Sequence, residues 1–155
     1  MPNKSSISPK NQDALRSWLK LLNTSNQIRK TLQSKLMASY GTSLSRFDVM
    51  ANLYRAPEKG VRLSDLSKKL MVSNGNVTQV MAPLIREGLV VRTPCPDDAR
   101  AAMACLTKEG ISLFEKMAAD HAQWVGEIFA PFSEGEHQQL MNLLGTIDHR
   151  KINQE

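Results

Sequence analysis

Apolar residues recur at helical spacing along most of the chain, and only between residues 89 and 106 do they shorten into strand-like runs. Leu15, Trp18, Leu19 and Leu22 form one stripe, and Leu21, Ile28, Leu32 and Leu36 continue it at near-heptad spacing. No proline interrupts them, so one long helix is expected over 12–40, stopped by Gly41. Ser45, with Asp48 three residues on, reads as the start of a second helix carrying Phe47, Met50, Ala51 and Tyr54. Pro57 and Gly60 end it. A short polar link leads to the octet Leu63–Leu70, expected as a short helix with Ser64 near its start. Ser73 is an N-cap residue for a third helix from Asn74 to about Glu87. Its inward positions are Val77, Val80, Met81, Leu84 and Ile85, and Gly88 stops it. Pro83 removes an N–H and crowds the carbonyl of Gln79, so a kink is expected there.

Leu89–Arg92 reads as a short strand, Pro94–Arg100 as a loop, and Ala101–Leu106 as a returning strand. Thr107 caps another long helix, whose apolar positions Phe114, Met117, His121, Trp124 and Ile128 step by three and four until Pro131. Ser133 and Glu136 form a capping box for a last helix with Leu140, Leu143, Leu144 and Ile147 on its inner face. The expected fold is mainly α with a small β-hairpin wing: a winged helix-turn-helix plus terminal dimerisation helices. The expected division is a flexible tail at 1–10, a dimerisation helix at 11–42, the winged domain at 43–108 and dimerisation helices at 109–155. The terminal helices carry more apolar surface than a small winged domain can bury, which points to a two-fold symmetric homodimer.

Charge adds a direction to this picture. The chain is 155 residues long with a net charge of +5. Residues 1–47 carry +7, residues 48–108 carry +3 and residues 109–155 carry −5. A basic front suits a polyanion such as duplex DNA, although two solvated faces of opposite sign would show the same numbers. No apolar run approaches the roughly 18 residues of a membrane span, so no membrane partner is expected. The start of the chain lacks the apolar core of a signal peptide. Two cysteines, Cys95 and Cys105, are too few for a disulfide framework, so the expected compartment is a reducing (bacterial) cytoplasm.

From about Leu44 to Gly110 the residues resemble the MarR family of bacterial transcription regulators. The resemblance is carried by Leu44-Ser45-Arg46-Phe47-Asp48-Val49, Leu63-Ser64-Asp65-Leu66 and Ser73-Asn74-Gly75-Asn76-Val77-Thr78. It continues through Leu84 to Arg92, Asp97-Asp98-Ala99-Arg100-Ala101 and Leu106-Thr107-Lys108-Glu109-Gly110. Order and spacing together make it specific; no single piece does. The resemblance implies an obligate homodimer on a pseudo-palindromic operator, usually a repressor released by a small ligand.

Within that frame Ser73, Asn74, Asn76, Thr78 and Gln79 are the expected operator contacts. Short hydroxyl and amide side chains there can bond phosphates or base edges, and Gln79 can pair with adenine. A capping Ser73 and merely solvated asparagines are the plain alternative. Asp98 and Arg100 match the family's D-x-R wing pattern, which implies minor-groove insertion of the arginine and loop-holding by the aspartate. A surface ion pair is the plain alternative. Lys68, Lys69 and Arg92 are candidate phosphate contacts. Gln79, Ala82-Pro83 and Ala99 stand where the family often carries charged residues, up to three of them basic. Weaker or altered DNA binding is therefore expected. A competing reading keeps the fold but makes it a protein-interaction module with weakened or lost DNA binding; a steep salt dependence separates the two.

The family also implies a small-molecule effector, an aromatic carboxylate or its coenzyme A thioester. Trp18, Arg29, Tyr40, Phe47, Tyr54, Arg55, Met117, His121 and Trp124 are the candidate lining, with core packing of the aromatics as the bland reading. Cys95 and Cys105 lie on the wing, away from a dimer helix, and show no activating neighbours. No metal, cofactor or catalytic group is expected. The three histidines share no ligand spacing, and there is neither a phosphate-binding glycine loop nor a nucleophile elbow.

Overall fold

The computed structural model describes residues 6–56, 59–70 and 74–147. Among these residues, six helices and three strands follow in the order α1 (Pro9–Tyr40), α2 (Leu44–Tyr54), β1 (Val61–Arg62), α3 (Leu63–Leu70), α4 (Asn74–Arg86), β2 (Val90–Cys95), β3 (Asp98–Leu106), α5 (Lys108–Ile128) and α6 (Glu134–Gly145). This is the mainly helical winged fold expected. The chain divides into two compact units, Met1–His121 and Ala122–Glu155.

Local chemistry sets most of the boundaries. The helix α1 begins at Pro9, earlier than the apolar stripe suggests. Ser8 is its N-cap, its hydroxyl accepting from the Asn11 N–H at 3.3 Å, and Pro9 occupies the first helical position. Gly41 ends the helix in the left-handed region at φ 62° and donates its N–H to the Met37 carbonyl. The cap of α2 is Ser43, not Ser45: the Ser43 hydroxyl accepts from the Arg46 N–H at 3.2 Å. Gln33 takes the next orphan donor, its Oε1 accepting from the Leu44 N–H at 2.6 Å. The expected cap at Ser73 and stop at Pro57 fall outside the described residues. Helix α4 runs through Pro83 to Arg86 without interruption, and the Glu87 N–H donates to the Pro83 carbonyl.

The wing is longer than its sequence suggests. Strand β2 reaches Cys95 and β3 starts at Asp98, so five of the seven residues of the expected Pro94–Arg100 loop lie in strands. Thr93 faces Met103 and Pro94 faces Ala102, with a register shift between Pro94 and Cys95. Pro94 costs one ladder donor, which is tolerable because β2 is an edge strand. Strand β1, absent from the sequence reading, pairs antiparallel with β3 through Val61–Ala104 and Arg62–Met103. The sheet order is β1-β3-β2.

The core of the first unit joins every element to this sheet. Leu36, Met50, Leu66, Val77, Met81, Leu84, Val90 and Met117 are almost completely buried. Each such side chain contributes about 1.5–3 kcal/mol of transfer free energy. Ile85, expected inward, is exposed, and Val80 is only partly covered. In the second unit the Ser133–Glu136 capping box forms as expected. The expected inner face of α6 is largely uncovered: Leu143 is 68% exposed, Leu144 and Ile147 are exposed as well, and Leu140 is partly covered. Among the described residues no helix is long and apolar enough to cross a membrane.

Candidate nucleic-acid interface

Burial of Val77, Met81 and Leu84 fixes which way α4 faces. Asn76, Thr78 and Gln79 are left exposed on its first turns. Asn74 opens the helix, and Ser73 lies outside the described residues. Exposed amides and a hydroxyl on the second helix of a helix-turn-helix are suited to hydrogen bonding with base edges.

The wing carries the second set. Asp98 Oδ1 accepts from the Arg100 backbone N–H at 2.9 Å, an aspartate-stabilised turn that holds the start of β3. The Arg100 side chain is exposed there, as is Arg92 on β2. Lys68 and Lys69 are exposed in the last turn of α3.

The base of the wing is locked to the helices by close backbone approach. Gly88 turns at φ 74°, and the Leu89 N–H returns to the Leu84 carbonyl. The Thr107 hydroxyl donates to the Gly88 carbonyl at 2.6 Å and accepts from the Gly110 N–H at 3.0 Å. It therefore caps α5 and pins the α4–β2 turn together. A Cβ at Gly110 would sit 2.1 Å from the Leu89 carbonyl oxygen, so only glycine fits this crossing.

The candidate effector residues are distributed differently from the expectation. Phe47 stacks on His121 with centroids 4.5 Å apart, and Phe114 lies against both Phe47 and Tyr54. With buried Met117 these rings pack on one another. Tyr40 donates to the Asp120 carboxylate, and Tyr54 donates to Glu115 at 3.0 Å. Both phenols are held above their ordinary range, mainly by those hydrogen bonds. Trp18 is 54% exposed, Arg55 is exposed and Trp124 belongs to the second unit. A cavity of about 270 Å³ lies instead under α4, lined by Arg29, Ser45, Asp48, Asn76, Gln79 and Val80 among others. Of the expected set, Arg29 alone lines it. Arg29 pairs with Asp48 at 3.6 Å. Burial raises the Asp48 carboxyl above its ordinary value, with Arg29 opposing. Sequence reading missed Asp48 as a wall residue because nothing local marks it as facing Arg29. Among the described residues no group of three or more His, Cys, Asp or Glu is placed to hold a metal ion.

Comparison with known proteins narrows the assignment. A model of the MarR family matches residues 42–102. The chain is 31% identical over 121 residues to PecS, an HTH-type transcriptional regulator of Dickeya dadantii, across 77% of this chain and 72% of that one. A MarR family transcriptional regulator from Silicibacter pomeroyi is 30% identical with TM-score 0.77, across 91% of this chain and 96% of that one. Sco3205 of Streptomyces coelicolor, whose structure was solved in complex with DNA, shares the fold at 20% identity and TM-score 0.78, across 95% and 91%. The match to PecS spans more than two thirds of either chain and includes both the helix-turn-helix and the hairpin, and this chain belongs to the MarR family of transcriptional regulators.

Proposed function

We propose that the protein is a homodimeric repressor that binds a pseudo-palindromic operator and is released by a small anionic effector. One observation carries the DNA-binding part: exposed Asn76, Thr78 and Gln79 on α4 share a frame with a hairpin whose Asp98 braces the backbone of exposed Arg100. The first set suits the major groove and the second the minor groove. Two exposed apolar stripes support the dimer. Leu15, Trp18 and Leu19 on α1 are each about half exposed, and Met141 and Leu143 on α6 are more so. Surfaces of this kind are ordinarily covered by a partner. The DNA-bound relative of the same fold supports the partner class.

The effector part rests on the cavity under α4. Arg29 offers it a cation, and Asn76 and Gln79 in its wall connect it to the reading helix. Its volume suits a single-ring aromatic acid better than a coenzyme A thioester. The repressor sense comes from the family resemblance. Selection from randomised duplex at moderate salt is expected to enrich an inverted repeat with half-sites about 10 base pairs apart. Recovery of no motif overturns the reading. Light scattering at twice the 17.3 kDa chain mass checks the dimer, and loss of DNA binding on adding benzoate checks release.

A further inference from the structure

We infer that Arg46 and Glu87 are positioning residues for operator reading: their ion pair fixes the pose of α4, and with it the base-facing turn at the other end of that helix. The inference rests on the proposed DNA-binding function.

Arg46 Nη1 and Glu87 Oε1 lie 3.5 Å apart, joining the first turn of α2 to the residue that follows α4. Both belong to the same compact unit. Each charge stands where its own helix disfavours it. Arg46 is a cation in the first turn of α2, at the positive end of the helix dipole. Glu87 is an anion directly after Arg86, at the negative end of α4. Alone, either charge weakens its helix; together they neutralise each other. The support on the α2 side is firm. Leu44 and Phe47 are buried, the Arg46 N–H donates to the Ser43 hydroxyl, and Gln33 accepts from the Leu44 N–H. The Arg46 side chain is the more covered of the two, 27% exposed against 53% for Glu87.

Helix α4 has reason to be held from outside. Pro83 offers no N–H to the Gln79 carbonyl four residues before it, so the ladder loses a bond in the middle of the helix. The stretch beyond is tied to its surroundings instead, Glu87 through Arg46 and Gly88 through the Thr107 hydroxyl. The exposed reading residues Asn76, Thr78 and Gln79 stand at the far end. From Asn76 to Glu87 the axis rises about 16 Å, so a tilt of about 4° at the tether moves the reading turn by about 1 Å. Hydrogen bonds to base edges hold over a length range of only about 0.5 Å. A tether that contributes little to stability therefore matters for reading.

The test uses the full-length protein and two labelled duplexes, one enriched by selection from randomised sequence and one of unrelated sequence. Arg46→Gln and Glu87→Gln are each expected to lower affinity for the enriched duplex about two- to fivefold, the range open to an exposed ion pair. Binding to the unrelated duplex and the slope of affinity against salt stay as in wild type. Combined, the two substitutions lose no more than either alone, because a single interaction is removed once. The reversed pair, Arg46→Glu with Glu87→Arg, recovers wild-type affinity and melts at a higher temperature, since both charges then agree with the helix dipoles. A slope shallower by about 0.9 in Arg46→Gln makes Arg46 a phosphate contact and overturns the inference. Tighter binding of Glu87→Gln to both duplexes overturns it as well, since Glu87 would then only repel DNA. Additive losses, or unchanged affinity in both single variants, have the same consequence. Wild-type protein that enriches no motif overturns the regulator reading itself. Should the reversed pair fail to fold, the neutral double variant decides the matter.

Discussion

The Thr107 hydroxyl donates to the Gly88 carbonyl at 2.6 Å while accepting from the Gly110 N–H, so one side chain joins the turn after α4 to the start of α5. Thr107→Val keeps the shape and removes both bonds. Loss of an N-cap costs about 0.5–2 kcal/mol, and the unpaired carbonyl adds to it. Urea denaturation is expected to show that loss. Operator affinity should fall as well, because the same turn sets the angle between α4 and the wing. Stability lost with affinity intact would mean the turn is held by Gly88 and the β ladder alone.

Arg100→Ala is expected to weaken binding to the selected duplex by about 1–3 kcal/mol and to relax preference at the positions it touches. Asp98→Ala should give a smaller loss without changing the preferred sequence, since Asp98 braces the backbone of Arg100. A gel-shift titration on matched and altered duplexes distinguishes the two patterns. Equal effects from both substitutions would argue that Asp98 contributes more than a braced turn.

Core and stripe substitutions should separate cleanly. Leu66 is fully buried, and Leu66→Ala is expected to cost about 2–5 kcal/mol of stability. Met141 is 71% exposed, so Met141→Ser should leave the isolated fold within about 0.5 kcal/mol. In the proposed dimer it should instead raise the dissociation constant. Sedimentation at a series of concentrations measures this, and an unchanged constant would remove α6 from the interface.

Acid should destabilise the protein first through His121. Burial pushes its imidazole below the ordinary value of 6.5, with the Asp48 charge opposing. The unfolded chain thus takes up this proton more readily, and stability falls as pH drops below 6.5. Asp48 acts in the opposite sense further into acid. Burial raises its carboxyl above 3.8, so the folded chain protonates first and regains some stability as pH falls through that raised value. Denaturation midpoints across this range should show the first decline, and His121→Gln should flatten it.

The helices were legible because their signals are local. Gly41, Gly88, Thr107 and the Ser133–Glu136 box act on neighbours three or four residues away, and the sequence displays them. Ser43 and Ser45 could not be told apart that way. The choice falls to Ser43 because Leu44 is buried as the first residue of the helix and Gln33, on another helix, accepts its N–H. Strand β1 has two residues and no period of its own; only β3 makes it a strand. The candidate effector residues are a different case. Phe47, Tyr54, Phe114 and His121 have the composition of an aromatic site, but they occupy one another's volume. The cavity under α4 is walled by polar side chains drawn from α1, α2 and α4, a combination that no single stretch of sequence announces.

Strand β3 is bonded to β1 along one edge and to β2 along the other. The root of the hairpin and the helix that follows β1 therefore hang from a single rail. A disturbance that reaches β3 therefore reaches the hairpin and α3 together. In a two-fold assembly the adjustable quantity is then the separation of the two winged bodies. Under the proposed function, release from DNA is then a mismatch between that span and one turn of the double helix.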